Sequence, residues 1–266
     1  MEGDAFMFTV AHFIWLAICV ITGGGALWYL KKYRPSLEKV LSVACVGCIL
    51  SELVKTLSVL QMVPAADGGT MHLYLEMHHL PLHLCSIQIL MIFYARFSKN
   101  PTRRETVLAF MYPTCAIGAF LALMMPSIFT SNTDLMDAFG RAHPYQYFLY
   151  HVMLVVLGLY IAMSQEVDLK PKHYLSTMGI LGLLAFMSIY FNSMFAAPTY
   201  VNGELVSVDM STNFFFTQEA PLGIILSEKW HWFVYMAVII TLGAGLIGLF
   251  YLPYFRKARR AQKEQV

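Results

Sequence analysis

The chain has 266 residues, of which 58% are hydrophobic, 14% aromatic and only 13% charged, about half the charged fraction of roughly 25% usual for a soluble domain. Eighteen Lys and Arg stand against 16 Asp and Glu, a balance that lacks the basic excess of a nucleic-acid binder. The five cysteines follow no regular framework, which excludes a disulfide-built scaffold, so the sequence reads as an all-α, multi-spanning membrane protein.

A spanning helix needs about 20 mostly apolar residues, and seven stretches meet or approach that length: 6–30, 40–63, 80–97, 106–129, 145–163, 174–197 and 230–251. The alternating ten-residue strands of a membrane barrel are absent, which leaves helices to satisfy the backbone in lipid. The expected organisation is one seven-helix transmembrane domain over 1–252 and a basic cytoplasmic tail over 253–266, resting on anionic headgroups. The first span reads as retained, because its leading residues include Glu2 and Asp4 and its end is followed by Lys31 and Lys32, the reverse of a cleaved signal.

Orientation follows the basic residues. The connections after spans 1, 3 and 5 and the C-terminal tail hold 15 of the 18 Lys and Arg, whereas the opposite connections hold Asp67, Asp134, Asp137, Arg141, Glu204, Asp209, Glu219 and Glu228. This predicts an outside N-terminus and a cytoplasmic C-terminus. Gly23, Gly24, Gly25, Gly179, Gly182, Ala244 and Gly248 are expected to let helices approach closely.

Ionisable groups inside spans are costly and mark function by default. At 1.5 Å per residue, His12, Cys85 and His151 lie roughly 8 to 9 Å past the outer ends of spans 1, 3 and 5. Asn192 is five residues before the outer end of span 6, and His231 opens span 7. Nucleophile, base and amide side chains thus fall at one level in the outer leaflet, with Glu76, His78 and His79 just above as interfacial or substrate-entry groups.

The densest segment is Leu75-Glu76-Met77-His78-His79-Leu80-Pro81-Leu82-His83-Leu84-Cys85-Ser86. Pro81 suits the first helical position, which places the helix start at Leu80 or Pro81 and Cys85 in the second turn. A cysteine near a helix N-terminus gains thiolate character, and a nearby histidine adds to it. On a regular helix Cys85 and Gln88 share one face and His79 and His83 another, so the base for Cys85 is sought on another helix, where His151 has the matching depth. Cys19 and Cys115 read as small apolar core residues, and Cys45 with Cys48 as close packing. Glu52 and Lys55, spaced i, i+3, read as a structural pair, while His143 and His173 are assigned to loops.

Leu80-Pro81-Leu82-His83-Leu84-Cys85-Ser86-Ile87 resembles the YwaF family of bacterial integral membrane proteins, whose eukaryotic relatives are the transmembrane protein 164 acyltransferases. Tyr147-Phe148-Leu149-Tyr150-His151, Asn192-Ser193-Met194-Phe195 and Trp230-His231-Trp232-Phe233-Val234-Tyr235 extend the resemblance over about residues 10 to 250. It implies a seven-helix protein of the bacterial cell membrane and, by the eukaryotic branch, cysteine-dependent transfer of an acyl chain between phospholipids. Cys85 would be the nucleophile and His151 the base, acting on a phospholipid or lysophospholipid without a cofactor.

Asn192 and Gln88 are candidate donors to the oxyanion, with His83 as a further positioning group. Two other readings stay open. His12, His78, His79, His83, His151 and His231 with Glu76 could hold zinc for lipid hydrolysis, with haem between His83 and His151 as a variant. A lipid-binding or transport protein is the non-enzymatic reading, although no inverted repeat supports transport.

Overall fold

The N-terminal turns of the long helices carry their own caps. Thr9 accepts from the His12 N–H, Ser36 from the Lys39 N–H and Asn100 from the Arg103 N–H, with Pro101 opening the last of these helices, so each satisfies a donor that helix geometry leaves orphaned. In the computed structural model, which describes residues 8–65, 68–126, 128, 135–209, 212–218 and 231–264, the helices are α1 (Val10–Tyr33), α2 (Leu37–Val59), α3 (Leu84–Phe97), α4 (Pro101–Met124), α5 (Leu135–Gly140), α6 (Ala142–Met163), α7 (Lys172–Met194) and α8 (His231–Lys263). Seven helical stretches are long and apolar enough to cross a membrane, the third being Met77–Phe97 as a whole. Glu2, Asp4, Asp67, Asp134, Glu219, Glu228 and Trp230 lie outside the described residues.

Two antiparallel hairpins decorate one end of the bundle. β1 (Gln61–Pro64) pairs with β2 (Met71–Tyr74) after α2, and β3 (Ala197–Val201) pairs with β4 (Glu204–Asp209) after α7. Asn202 and Gly203 turn the second hairpin at φ +52° and +84°, as a two-residue hairpin turn requires. At this hairpin face the His12 ring meets the Leu123 carbonyl (2.9 Å) and the Tyr147 hydroxyl donates to the Ala122 carbonyl (2.9 Å). At the opposite face Glu166 accepts from the Leu37 N–H (2.7 Å), Arg96 pairs with Glu38 (3.0 Å), and His173 meets Glu105 (3.3 Å). Helices α1, α3, α6 and α8 therefore begin at the hairpin face, and α2, α4 and α7 end there.

The core lies along α4 and α6. Gly158 of α6 sits so close to α4 that an added Cβ would come within 2.7 Å of the Ala116 nitrogen and 2.9 Å of the Tyr112 carbonyl oxygen. Pro113 inside α4 has no N–H for the Ala109 carbonyl, and the Tyr251 hydroxyl of α8 supplies the missing donor at 2.7 Å. Trp15, 1% exposed, stacks on Phe148 at 4.6 Å and donates to the Ala138 carbonyl of α5.

Several sequence expectations change. Gly24, Gly25, Gly179 and Gly182 have nothing within 4 Å of an added Cβ, and Gly23 and Gly248 make ordinary contacts; close approach is needed where α4 crosses α6, and Gly158 provides it. The basic residues after Pro253 continue α8 to Lys263. His143 and His173 belong to α6 and α7, not to loops, and His173 is buried. Residues Met77–His79 form a 3-10 turn, and α3 begins only at Leu84.

Candidate functional site

That late start changes the setting of Cys85. His83 is the N-cap of α3 with extended backbone (φ −72°, ψ 155°), so Cys85 occupies the first turn rather than the second. The first helical bond runs from the Ile87 N–H to the His83 carbonyl (2.9 Å). The N–H groups of Leu84, Cys85 and Ser86 thus have no intrahelical acceptor, and they carry the positive end of the helix dipole. The Ser86 hydroxyl and N–H both reach the Cys85 sulfur. All five cysteines are free thiols, and Cys85 alone among them is not classed as buried.

The helical-wheel separation of His79 and His83 from Cys85 does not hold, because residues 77–83 are not one regular helix. His83 hydrogen-bonds the His78 backbone, sets its ring edge-on to Phe214 at 4.9 Å, and lies within electrostatic reach of His151. His151 is 4% exposed, and its Nδ1 is 2.7 Å from the Tyr147 carbonyl. A carbonyl only accepts, so Nδ1 carries the proton in the neutral ring and Nε2 is left as the acceptor.

Among the described residues no hydrogen bond joins Cys85 to His151. The neighbouring Tyr150 makes the link between their helices, donating to the Cys85 carbonyl at 2.8 Å. Lys55 of α2, paired with Glu52 at 2.7 Å as expected from the i, i+3 spacing, is only 14% exposed. Its charge reaches Cys85, His83, His79 and His143.

The two amides expected to face an oxyanion are engaged elsewhere. Asn192 donates to the Phe214 carbonyl (3.1 Å) and Thr217 hydroxyl (2.9 Å) and accepts from the Phe214 N–H (2.9 Å). It pins residues 212–218 into the hairpin end of the bundle, aided by Trp232 donating to the Thr217 carbonyl (2.7 Å) and Tyr235 to that of Phe216. Gln88 donates to Thr114 (3.0 Å) and accepts from the Cys115 thiol (3.2 Å), tying α3 to α4. Both amides are fully buried.

The histidines do not converge as a set. His12 uses both ring nitrogens, accepting from the Phe8 N–H (3.0 Å) and meeting the Leu123 carbonyl, which makes it a clasp between α1 and α4. His231 is half-buried at the start of α8. Glu76, His78 and His79 do converge, with one ligand-type atom from each lying within 4.8 Å of the others. Glu76 and His78 pair at 3.2 Å, and Gln61 donates to Glu76 (3.2 Å). Their chemistry suits zinc, but three partly exposed groups from one short turn are a sparser donor set than the four ligands of a structural site.

A family model described as the TMEM164 family matches residues 7–251. The chain belongs to the TMEM164 family. No curated protein and no solved structure matches it. The relation to the transmembrane protein 164 proteins, read from the segment around Cys85, is therefore shown for nearly the whole chain of this family member.

Sequence reasoning missed Tyr150, Ser86 and the inserted 212–218 segment, and it read Lys55 with Glu52 as a structural pair first and a proton or ion pathway second. Lys55 was visible as a charge inside a span. The Asn202-Gly203 pair signalled the second hairpin. Nothing in Thr212-Asn213-Phe214-Phe215-Phe216 signalled insertion, because its contacts with Asn192 and Trp232 depend on the packing of α7 and α8.

Proposed function

We propose that the protein is a membrane-embedded acyltransferase acting on phospholipids, with Cys85 as nucleophile and His151 as general base. The observation that carries this reading is the placement of Cys85: the one cysteine of the five that is not fully buried, it stands on the first turn of α3 beside Ser86, where the helix leaves its first N–H groups without an intrahelical acceptor. A helix N-terminus is one of the settings in which a cysteine is reactive rather than structural.

His151 Nε2 takes the thiol proton, directly or after a small closure, since catalytic hydrogen bonds are often loose before substrate binds. The thiolate attacks the ester carbonyl carbon and forms a tetrahedral oxyanion. Collapse breaks the ester C–O bond, and the departing glycerol oxygen takes the proton back from His151. The thioester is then attacked by a lysophospholipid hydroxyl whose proton passes to His151, and collapse breaks the C–S bond; the expelled thiolate takes that proton from His151, which restores the thiol and the neutral ring. With Asn192 and Gln88 occupied, the first-turn N–H groups of α3 are the better oxyanion donors in this scheme. His83, against Phe214, and His79, against His78 and His143, would line the approach, with Glu76, His78 and His231 nearer the interface.

The basic residues support an outside N-terminus, which would set this site in the outer leaflet. The test is acyl exchange between a labelled phospholipid and a lysophospholipid in vesicles. Cys85→Ala and His151→Ala should abolish exchange, whereas turnover by Cys85→Ala at the unmodified rate rejects the reading in favour of lipid binding without covalent chemistry.

A further inference from the structure

A groove of about 500 Å³ opens between α2 and α6. Its walls change character with depth. Nearest the hairpin face are Val54, Tyr145 and the hydrogen-bonded pair Gln146 and Ser51 (2.6 Å). Deeper come Leu50, Leu149 and Met153, with Gly47 at the bottom. Tyr150 belongs to the same wall while its hydroxyl holds the Cys85 carbonyl, so one side chain joins the groove to the backbone of the first turn of α3.

On α2, Lys55, Ser51 and Gly47 are spaced i, i−4, i−8 and fall on one face. Lys55 stands about 6 Å above Ser51 along the helix, and Ser51 about 6 Å above Gly47. The sequence of groups from the membrane surface inward is thus a cation, a hydrogen-bonding pair, and an apolar floor. A phospholipid carries matching groups in that order: a phosphate, an ester and an acyl chain.

We propose that this groove binds the phospholipid substrate, with its phosphate on Lys55 and one acyl chain running from the level of Cys85 down to Gly47 and Met153. Resting on the acyltransferase reading, this names the surface that selects the substrate. Lys55 has three N–H donors, and Glu52 at 2.7 Å occupies part of that capacity while holding the ammonium in place. Gly47 sets the floor, because a Cβ there would come within 2.6 Å of the Met153 sulfur and push that flexible side chain into the groove. Leu50 is 57% exposed, so enlarging it narrows the groove without entering the core.

The test uses a lysophospholipid bearing a photoreactive diazirine at the chain end, in vesicles holding the full-length Cys85→Ala protein, which cannot turn over. Crosslinks should map to α2 near Gly47 and α6 near Met153. Leu50→Trp should cut labelling about tenfold, and Lys55→Gln should weaken apparent affinity about tenfold while Lys55→Arg retains it, each tenfold being about 1.4 kcal/mol. A fatty alcohol with the same diazirine, lacking phosphate, should be indifferent to Lys55→Gln. Gly47→Ala should shift preference toward a shorter probe. Labelling spread over all lipid-facing helices and insensitive to Leu50→Trp overturns the proposal. Since the readout needs no thiol, groove labelling in a protein that never forms an acyl adduct rejects the nucleophile and keeps the groove, while an adduct with dispersed labelling does the reverse.

Discussion

The Tyr150 hydroxyl donates to the backbone carbonyl of Cys85 at 2.8 Å, so the residue beside His151 on α6 fixes the height of the first turn of α3. A helix that starts after an irregular turn lacks the preceding turn that would otherwise hold it, and this bond supplies a substitute. Tyr150→Phe should leave the protein folded and lower acyl exchange about fivefold, the loss expected from one buried hydrogen bond of roughly 1 kcal/mol. An unchanged rate would show that the α3 turn holds its place without the tether.

Asn192 makes three hydrogen bonds to residues 214 and 217, and Phe214 in turn packs its ring against His83. Phe215 and Phe216 adopt φ values of +58° and +52°, a left-handed conformation that costs on the order of 1 to 3 kcal/mol per bulky residue and persists only if anchored. Asn192→Ala should lower stability by about 2 to 3 kcal/mol through unsatisfied buried backbone groups, seen as a fall in Tm in detergent. It should also raise proteolytic cleavage within residues 212–218.

Gly158 packs against α4 backbone, which cannot move aside as a flexible side chain can. Gly158→Ala should destabilise by about 1 to 3 kcal/mol, the usual range for overpacking, whereas Gly179→Ala, with nothing near its added Cβ, should be neutral or slightly stabilising because alanine is the better helix former. Thermal melts of the two variants in one detergent compare them directly.

Exchange of acyl chains should survive chelation. Treatment with a strong zinc chelator is expected to leave turnover unchanged, and His78→Ala is expected to retain most of it. Loss of turnover on chelation, restored by added zinc, would transfer the chemistry to Glu76, His78 and His79.

The seven spans were legible because apolar length is a property of local sequence, and the ends of α4, α6 and α7 moved only by a few residues. Element starts set by tertiary contacts were less legible. Pro81 suggested a helix start that the chain delays to Leu84, since His83 is drawn to the His78 backbone and Phe214. For the same reason the wheel argument separating His83 from Cys85 did not transfer. Depth matched Cys85 with His151, yet depth carries no information on rotation about a helix axis, and it is Tyr150 that turned toward Cys85. Asn192 and Gln88 were marked as candidate oxyanion donors, but their partners, Phe214 with Thr217 and Thr114 with Cys115, lie on elements distant in sequence. Small residues were read from composition, whereas the crossing of α4 and α6 selects Gly158 alone from that interface.

The central claim is that Cys85 carries the acyl chain. Intact mass of the purified protein after incubation with a single defined phospholipid tests it most directly. The account predicts an added mass equal to one acyl chain, removed by neutral hydroxylamine as a thioester is and missing in Cys85→Ala. An adduct that persists in Cys85→Ala, or none in protein shown to exchange acyl chains, would contradict it.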